Sequence, residues 1–381
     1  MDIQISNELF NYAVRIRRQL HQYPEVGFEL EKTVKLVSEE LDKIGIEYTY
    51  EYGKGSVVAH LGQGNKMIAF RADMDALPVD EKTDLPFSSK IPGQMHACGH
   101  DLHTAVLLAV AKYLKENENR LKCRVRLIFQ PSEEGAVSGA EMMVKNGVMD
   151  GVDHIICTHC DNDIPVGNIG IAYGCYMAAC IPATICFYGK STHAALPQFG
   201  IDANAMAVEA YIKLKEAVKE LTGDSPYIWN VGRIEGGHVH NVVSDKCEMD
   251  ISFRFYDMDF AKRVEEKTRE ICNDIAAHYG GSVDTNWNMS TYPVYNDIEL
   301  TKQFESISKE AGLSVITMPQ RMSSEDFAHY LTKSPGMIFR FGTRNEELGC
   351  TALAHRSDFK IDENGMKYAI QAFCEYVLSI C

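Results

Sequence analysis

Three shortages bound this chain before any motif is considered. Basic residues are outnumbered: 38 lysines and arginines face 53 aspartates and glutamates, a formal net charge of −15 over 381 residues. Without a basic stripe, a nucleic-acid or anionic-membrane partner is not expected, and the acidic excess otherwise speaks to solubility. Long apolar runs are missing too, since no window approaches the roughly 18 consecutive apolar residues of a membrane span. The opening MDIQISNELFNYAVRIRRQLHQ is amphipathic and lacks the basic-then-apolar order of a secretory signal. Finally, the 12 cysteines avoid disulfide-framework spacings and sit in apolar segments such as RLKCRVRLIF and ATICFYG, as buried thiols do. A reducing cytoplasm is the expected location.

What remains is an ordinary globular composition, 45% hydrophobic and 24% charged, which sets aside disordered and fibrous classes. The length suggests about two domains. Apolar periodicity predicts helices over 7–23 and 29–43, split by the Pro24-Glu25-Val26-Gly27 turn. Short apolar runs at 55–61, 66–71, 123–129 and 154–157 predict strands. Helical patterns at 104–115 and around 138–146 lie between them, so strands alternate with helices around a mixed or parallel central sheet. Asp73-Met74-Asp75, Ser132-Glu133-Glu134-Gly135 and His159 each fall just past a predicted strand. In open α/β sheets that edge is where ligands bind, so three polar clusters converge on one crevice.

From about Met177 the pattern changes. Strands at 183–188, 227–234, 246–255 and 282–289 and helices at 202–221 and 260–279 give a β-α-β-β-α-β order. Such a unit buries its own core. An inserted domain is therefore expected over 178–292, with 1–177 and 293–381 forming a discontinuous first domain.

The most informative stretch is His96-Ala97-Cys98-Gly99-His100-Asp101-Leu102-His103. Three imidazoles and a thiol lie within eight residues, without the paired cysteines of a structural zinc site, so the composition suits a metal centre with open positions. The competing reading is a polar loop with an incidental cysteine. Glu133 and Glu134 offer one carboxylate for a metal and one for proton transfer, against the alternative of a solvated acidic pair. His159 lies in Cys157-Thr158-His159-Cys160, which also matches a redox CxxC, yet follows an apolar strand where a helix start would be needed to activate the thiol. His355 alone is uninformative.

In order along the chain, LHQYPEVGFE, FRADMDALPV, HACGHDLHTA, FQPSEEG, KSTHAALP, HNVVSD, MSSEDFA and HRSDFKIDE resemble the metal-dependent amidohydrolases that include hippurate hydrolase, N-acyl-amino-acid amidohydrolases and auxin-conjugate hydrolases. The resemblance implies a zinc-peptidase-like catalytic domain, its central mixed sheet flanked by helices, with an inserted α+β ferredoxin-like lid and dimerisation domain. It implies two divalent ions, zinc, manganese, cobalt or nickel, at Cys98, His100, Glu134, His159 and His355. Glu133 matches the general base and Asp75 an aspartate that orients a metal ligand. His193 and Asn241, in the inserted domain, match positions that reach the substrate, within one subunit or across a homodimer. Gln198, Leu102 and Cys160 depart from the usual pattern and bear on substrate preference, while Glu325 and Asp326 fall in a loop near the site. The implied activity is amide hydrolysis of N-acyl amino acids. A dipeptidase on the same scaffold, a non-catalytic metal or ligand-binding protein, and a thiol-redox protein are the alternatives.

Overall fold

Ser6 ends the first extended residues by accepting the Leu9 amide at 3.1 Å, and helix α1 (Asn7–Gln22) follows. The computed structural model describes residues 3–223 and 225–381. In the turn after Pro24, the two carboxylate oxygens of Glu25 accept the amides of Lys32 and Thr33 at 3.0 and 2.8 Å. They fill the open first turn of α2 (Glu31–Ile44), whose preceding residue Leu30 supplies no side-chain cap.

The chain continues through β1 (Tyr48–Thr49), β2 (Val57–Gly62), β3 (Met67–Asp73), α3 (His100–Glu116), β4 (Arg124–Gln130), α4 (Gly139–Lys145), β5 (His154–Pro165), β6 (Asn168–Ile171) and β7 (Gly174–Met177). Next come β8 (Ala179–Tyr188), β9 (Thr192–His193), α5 (Ala203–Thr222), β10 (Ile228–Gly236), β11 (Val242–Val243), β12 (Lys246–Phe255), α6 (Met258–Tyr279) and β13 (Ser282–Trp287). The last elements are β14 (Val294–Asn296), α7 (Ile298–Glu310), β15 (Ser314–Thr317), α8 (Ala328–Leu331), β16 (Gly336–Arg344) and α9 (Gly365–Ile380).

Two units result. The first comprises Met1–Tyr176, Tyr295–Gln320 and Asp326–Cys381, the second Met177–Val294 and Arg321–Glu325. In the first, an eight-stranded sheet runs β1-β2-β4-β3-β5-β16-β6-β15, with β4, β3, β5 and β16 parallel neighbours flanked on either side by antiparallel pairs. It is the mixed α/β sheet expected. Helix α3 is apolar on nearly every side because it is buried on nearly every side: it packs on β3 and β5 and is covered by α1, α2 and α9. Arg17 and His21 of α1 both reach the buried Asp101 of α3, each at 2.8 Å, so the charge is neutralised where water cannot solvate it.

Among the element boundaries that differ from the sequence-based expectation, two bear on the polar clusters. Helix α3 starts at His100, four residues earlier, because Gly99 adopts a left-handed φ of 84° and turns the chain directly into the helix. Strand β5 runs on to Pro165 and does not stop at Cys157, so His159 lies inside the strand, opposite Arg340 of β16. The continuous parallel pairing with β16 keeps the polar Thr158-His159-Cys160 in the ladder, a tertiary effect that local polarity cannot reveal.

In the second unit a four-stranded antiparallel sheet has the order β10-β12-β8-β13. With sequence order β8, β10, β12, β13 and helices α5 and α6, this is the ferredoxin-like arrangement. Every second residue of β12 is buried, and Met249, Ile251, Phe253 and Phe255 form a core with Met206 and Leu214 of α5 and Val264 and Ile275 of α6. Residues 321–325 belong to this unit: the Ala178 amide donates to the Arg321 and Ser323 carbonyls, both at 3.1 Å, and Arg254 donates to the Met322 carbonyl at 3.1 Å. Among the described residues no helix is long and apolar enough to cross a membrane.

Ten cysteines are free. The exception is Cys123, just before β4, which is bonded to the terminal Cys381, 258 residues away, with a Cα separation of 5.3 Å. Sequence spacing is silent about a bond that folding alone creates. Removing this cross-link, by Cys381→Ser or by reductant, is expected to lower stability by about 2–4 kcal/mol. Thermal melts with and without reductant test it: the wild type should fall to the level of the variant, and a reductant-insensitive wild type would show that the bond contributes nothing.

Candidate metal centre

Strands β3 and β4 are parallel neighbours, so Asp73-Met74-Asp75 and the segment after Gln130 leave the sheet at the same edge. Asp75 shapes the turn beyond β4. Its Oδ1 accepts the Glu133 amide at 3.0 Å and its Oδ2 the Glu134 amide at 3.1 Å, fixing the backbone that presents both glutamates. That turn requires a left-handed φ of 50° at Ser132. It also requires Gly135, where a Cβ would collide with Ser132 Oγ.

His100, at the start of α3, donates from Nδ1 to the Asp75 carbonyl at 2.8 Å. Its Nε2 thereby faces inward, buried without a hydrogen-bond partner and 3.8 Å from Glu133 Oε2. His159 repeats the device: Nδ1 donates to the Cys160 carbonyl at 2.7 Å, and Nε2 points at Cys98 Sγ, 3.4 Å away. His355 arrives on a loop whose amide donates to the Ala97 carbonyl at 2.8 Å, and its Nε2 lies 2.9 Å from Glu134 Oε1. Its φ is 69°; among the described residues, Ser132 and His355 are the only non-glycine positions with positive φ. Strained backbone thus coincides with candidate ligands.

The five implied ligands meet as two overlapping groups. Cys98, His100 and His159 form one and Cys98, Glu134 and His355 the other, with donor atoms inside each group lying within 4.8 Å of one another. The thiol is common to both. Sulfur, imidazole nitrogen and carboxylate oxygen, with a buried unpartnered Nε2, fit a pair of borderline divalent ions. The electrostatics agree. Burial opposes charge on His100, but Asp73 and Asp75 outweigh it and raise its pKa to about 10, so the pocket favours a cation. Burial, then Glu134 and Glu133, push the Cys98 thiol up, a cost that a bound cation would reverse. Burial and Arg340 hold His159 low, as a neutral ligand requires.

Other residues of the sequence motifs have different employment. His103, one helical turn after Gly99, is fully occupied: Nδ1 donates to Asp73 at 2.6 Å and Nε2 accepts the Cys160 amide at 2.9 Å. His96 is buried beside His21, ring centroids 6.3 Å apart. Cys157 and Cys160 form no disulfide and lie buried, three residues apart on one strand, where side chains alternate faces; the redox reading has no geometric basis. Asp73 and Asp326 are the polar residues whose work the sequence hid. Asp73 accepts Arg71 at 2.6 Å, and Asp326 accepts Arg71, Gln130, Ser138 and the Ala140 amide at 2.7–3.2 Å. Asp326 therefore braces the strand end from which Glu133 and Glu134 depart. An acidic residue following the last apolar position of a strand was the available signal for Asp73.

In the second unit, His193 on β9 pairs with Val242 on β11, and the Ala194 amide donates to the Asn241 carbonyl at 2.9 Å. The two substrate-contact candidates of that unit are therefore neighbours. His193 Nδ1 accepts the Ala195 amide at 3.1 Å, leaving Nε2 on an exposed ring.

Known proteins are similar to this chain over most of its length. Thermostable carboxypeptidase 1 of Saccharolobus solfataricus is 36% identical over 366 residues, covering 94% of this chain and 93% of its own. N-acetyl-L-cysteine deacetylase of Bacillus subtilis is 36% identical over 356 residues, covering 93% and 84%. The crystal structure of the Bacillus subtilis YXEP protein, a dinuclear metal-binding peptidase of the M20 family, matches with a TM-score of 0.87 at 32% identity, covering 98% of this chain and 99% of that one. Residues 69–379 match the profile described as peptidase family M20/M25/M40. Since that span holds all five candidate ligands together with Glu133, the chain is a metal-dependent hydrolase belonging to peptidase family M20/M25/M40.

Proposed function

We propose that this enzyme hydrolyses the amide bond of N-acyl amino acids, releasing a carboxylic acid and a free amino acid. The observation that carries the reading is the pair of ligand groups sharing Cys98, with the Glu133 carboxylate beside them. Two ions held there would supply Lewis acidity toward water and the substrate carbonyl. Glu133 takes the proton of the attacking water and returns it to the leaving nitrogen. Asp75 keeps the Glu133 and Glu134 backbone in place for both transfers. His193 and Asn241 offer an imidazole and an amide to the oxyanion or to the substrate carboxylate, within their own subunit or from a dimer partner.

Zinc or manganese is the proposed metal, with cobalt and nickel as competitors, because thiolate and imidazole serve all four. The inserted domain, 178–292, is proposed as lid and dimerisation surface. Edge strand β10 exposes Ile228 and Ile234, at 40% and 45%, and α5 exposes Val208 and Ile212, both at 54%, an apolar edge of the kind a homodimer covers. A cytoplasmic location is supported by the ten free thiols; the Cys123–Cys381 bond is the feature that suits such a compartment least.

A second reading, removal of a residue from an unblocked peptide, is favoured by the likeness to a carboxypeptidase, since an N-acyl amino acid and a dipeptide present the same bond. Release of amino acid is measured from N-acetyl, N-benzoyl and longer N-acyl amino acids beside matched dipeptides, with zinc, manganese, cobalt or nickel restored separately to metal-stripped protein. Turnover of the acylated series is expected. Cleavage of dipeptides alone would move the assignment to a peptidase, and silence with tight metal binding to a non-catalytic binder.

A further inference from the structure

The metal ligands gather where β3 and β4 end; a cavity of about 490 Å³ opens where those strands begin, lined by His60, Lys115, Glu118, Arg124 and Arg126 among others. His60 of β2 stands directly opposite Arg126 of β4, and Gly62 opposite Arg124, so the three side chains come from adjacent strands. Arg126 is only 6% exposed. Its guanidinium donates to the Val148 carbonyl and, at 3.2 Å, to that of Asp150, while its Nε is buried with no partner. Arg124 donates only to the Asn65 carbonyl, at 3.4 Å.

Neither guanidinium has a carboxylate partner among the described residues. The carboxylates on the wall do not supply one. Glu118 is spent on Lys115 Nζ at 2.7 Å and on the Gly62 amide at 3.1 Å, and among the described residues Glu47 makes no ion pair. Desolvation, with the charges of Arg126 and Arg124, lowers the His60 imidazole to about 4. A buried guanidinium without a counter-charge is costly, and its planar fork matches the oxygens of phosphate. In a chain of net charge −15, with carboxylates abundant elsewhere, two arginines held only by backbone carbonyls and, for Arg126, by the Tyr52 ring at 5.9 Å form a cationic wall of one cavity.

We propose that this cavity binds a small phosphate-bearing anion, held by the guanidiniums of Arg124 and Arg126 with the His60 imidazole as a third donor, at a site separate from the metal centre. Two guanidiniums lining one cavity favour a dianion over a single carboxylate.

Isothermal titration calorimetry of the full-length, metal-loaded protein with inorganic phosphate tests this, with acetate as the monocarboxylate control. Saturable binding of one phosphate per chain is expected, weakened at least tenfold in Arg124→Gln and abolished in Arg126→Gln, with acetate at least tenfold weaker. His355→Ala, altered at the metal centre, should keep the wild-type phosphate affinity. Because Arg124 is exposed, its variant tests the site even if the Arg126 substitution impairs folding. No saturable binding, an unchanged affinity in Arg124→Gln, equal affinity for acetate, or loss of binding in His355→Ala would each overturn the proposal.

Discussion

Glu133→Gln is expected to keep its metal and lose turnover by between a hundredfold and ten-thousandfold, roughly the range for removing a positioned general base. The substitution preserves volume and leaves the Glu133 amide on Asp75 Oδ1, so the turn is undisturbed. What disappears is a carboxylate that lies 3.8 Å from His100 Nε2 and clusters with His100 and Glu134 without being one of the five ligands the sequence suggested. Metal content by mass spectrometry, taken with initial rates on the best acylated substrate, separates the two effects. A wild-type rate in a variant with full metal content would remove Glu133 from the mechanism. Lost metal together with lost rate would instead make it a ligand.

Cys98→Ala should be the more damaging change for the metal itself. The thiol belongs to both groups, whereas His355 belongs to one and His159 is grouped with His100 around the other. Deleting Cys98 therefore removes a donor from each ion at once and leaves two donors per group, too few to hold a borderline ion tightly. Metal content is expected to fall from two ions to fewer than one per chain, with activity below detection, while His355→Ala should retain one ion on Cys98, His100 and His159. Two ions bound to the Cys98→Ala protein at wild-type affinity would rule out a shared thiol.

Much of this was readable along the chain because the informative residues occur in short, dense clusters. Cys98 and His100 sit two apart at the edge of an apolar helix, and Glu133-Glu134 directly follow an apolar strand; local spacing is enough to raise a metal site from such patterns. The β-α-β-β-α-β run was visible because its strands alternate in burial and its helices bury one stripe, as β12 and α6 show. What stayed hidden depends on distant partners. His100 and His103 look equivalent in sequence, and only their distant partners separate them: the Asp75 carbonyl turns His100 inward as a candidate ligand, and Asp73 on β3 makes His103 a brace. His355 has no ligand signature of its own, since its neighbours Arg356 and Asp358 pair with each other at 2.8 Å and look like a surface turn. Cys123 and Cys381 carry no trace of their pairing, and residues 321–325 carry none of their membership in the second unit.

The left-handed backbone at Ser132 and His355 has a bearing on how this protein can change. Each such position costs on the order of 1–3 kcal/mol, which the fold tolerates because the Asp75 carboxylate and the Ala97 carbonyl hold the two loops from outside. A lineage or an engineering campaign that rewards heat tolerance alone would find its easiest gains there, by letting glycine take over Ser132 or by relaxing the loop that carries His355. Those gains would come from the same few residues that aim the carboxylates and the last imidazole. Selection for robustness and selection for turnover therefore pull against each other at two identifiable backbone positions, while the packed core around α3 can be improved without that conflict.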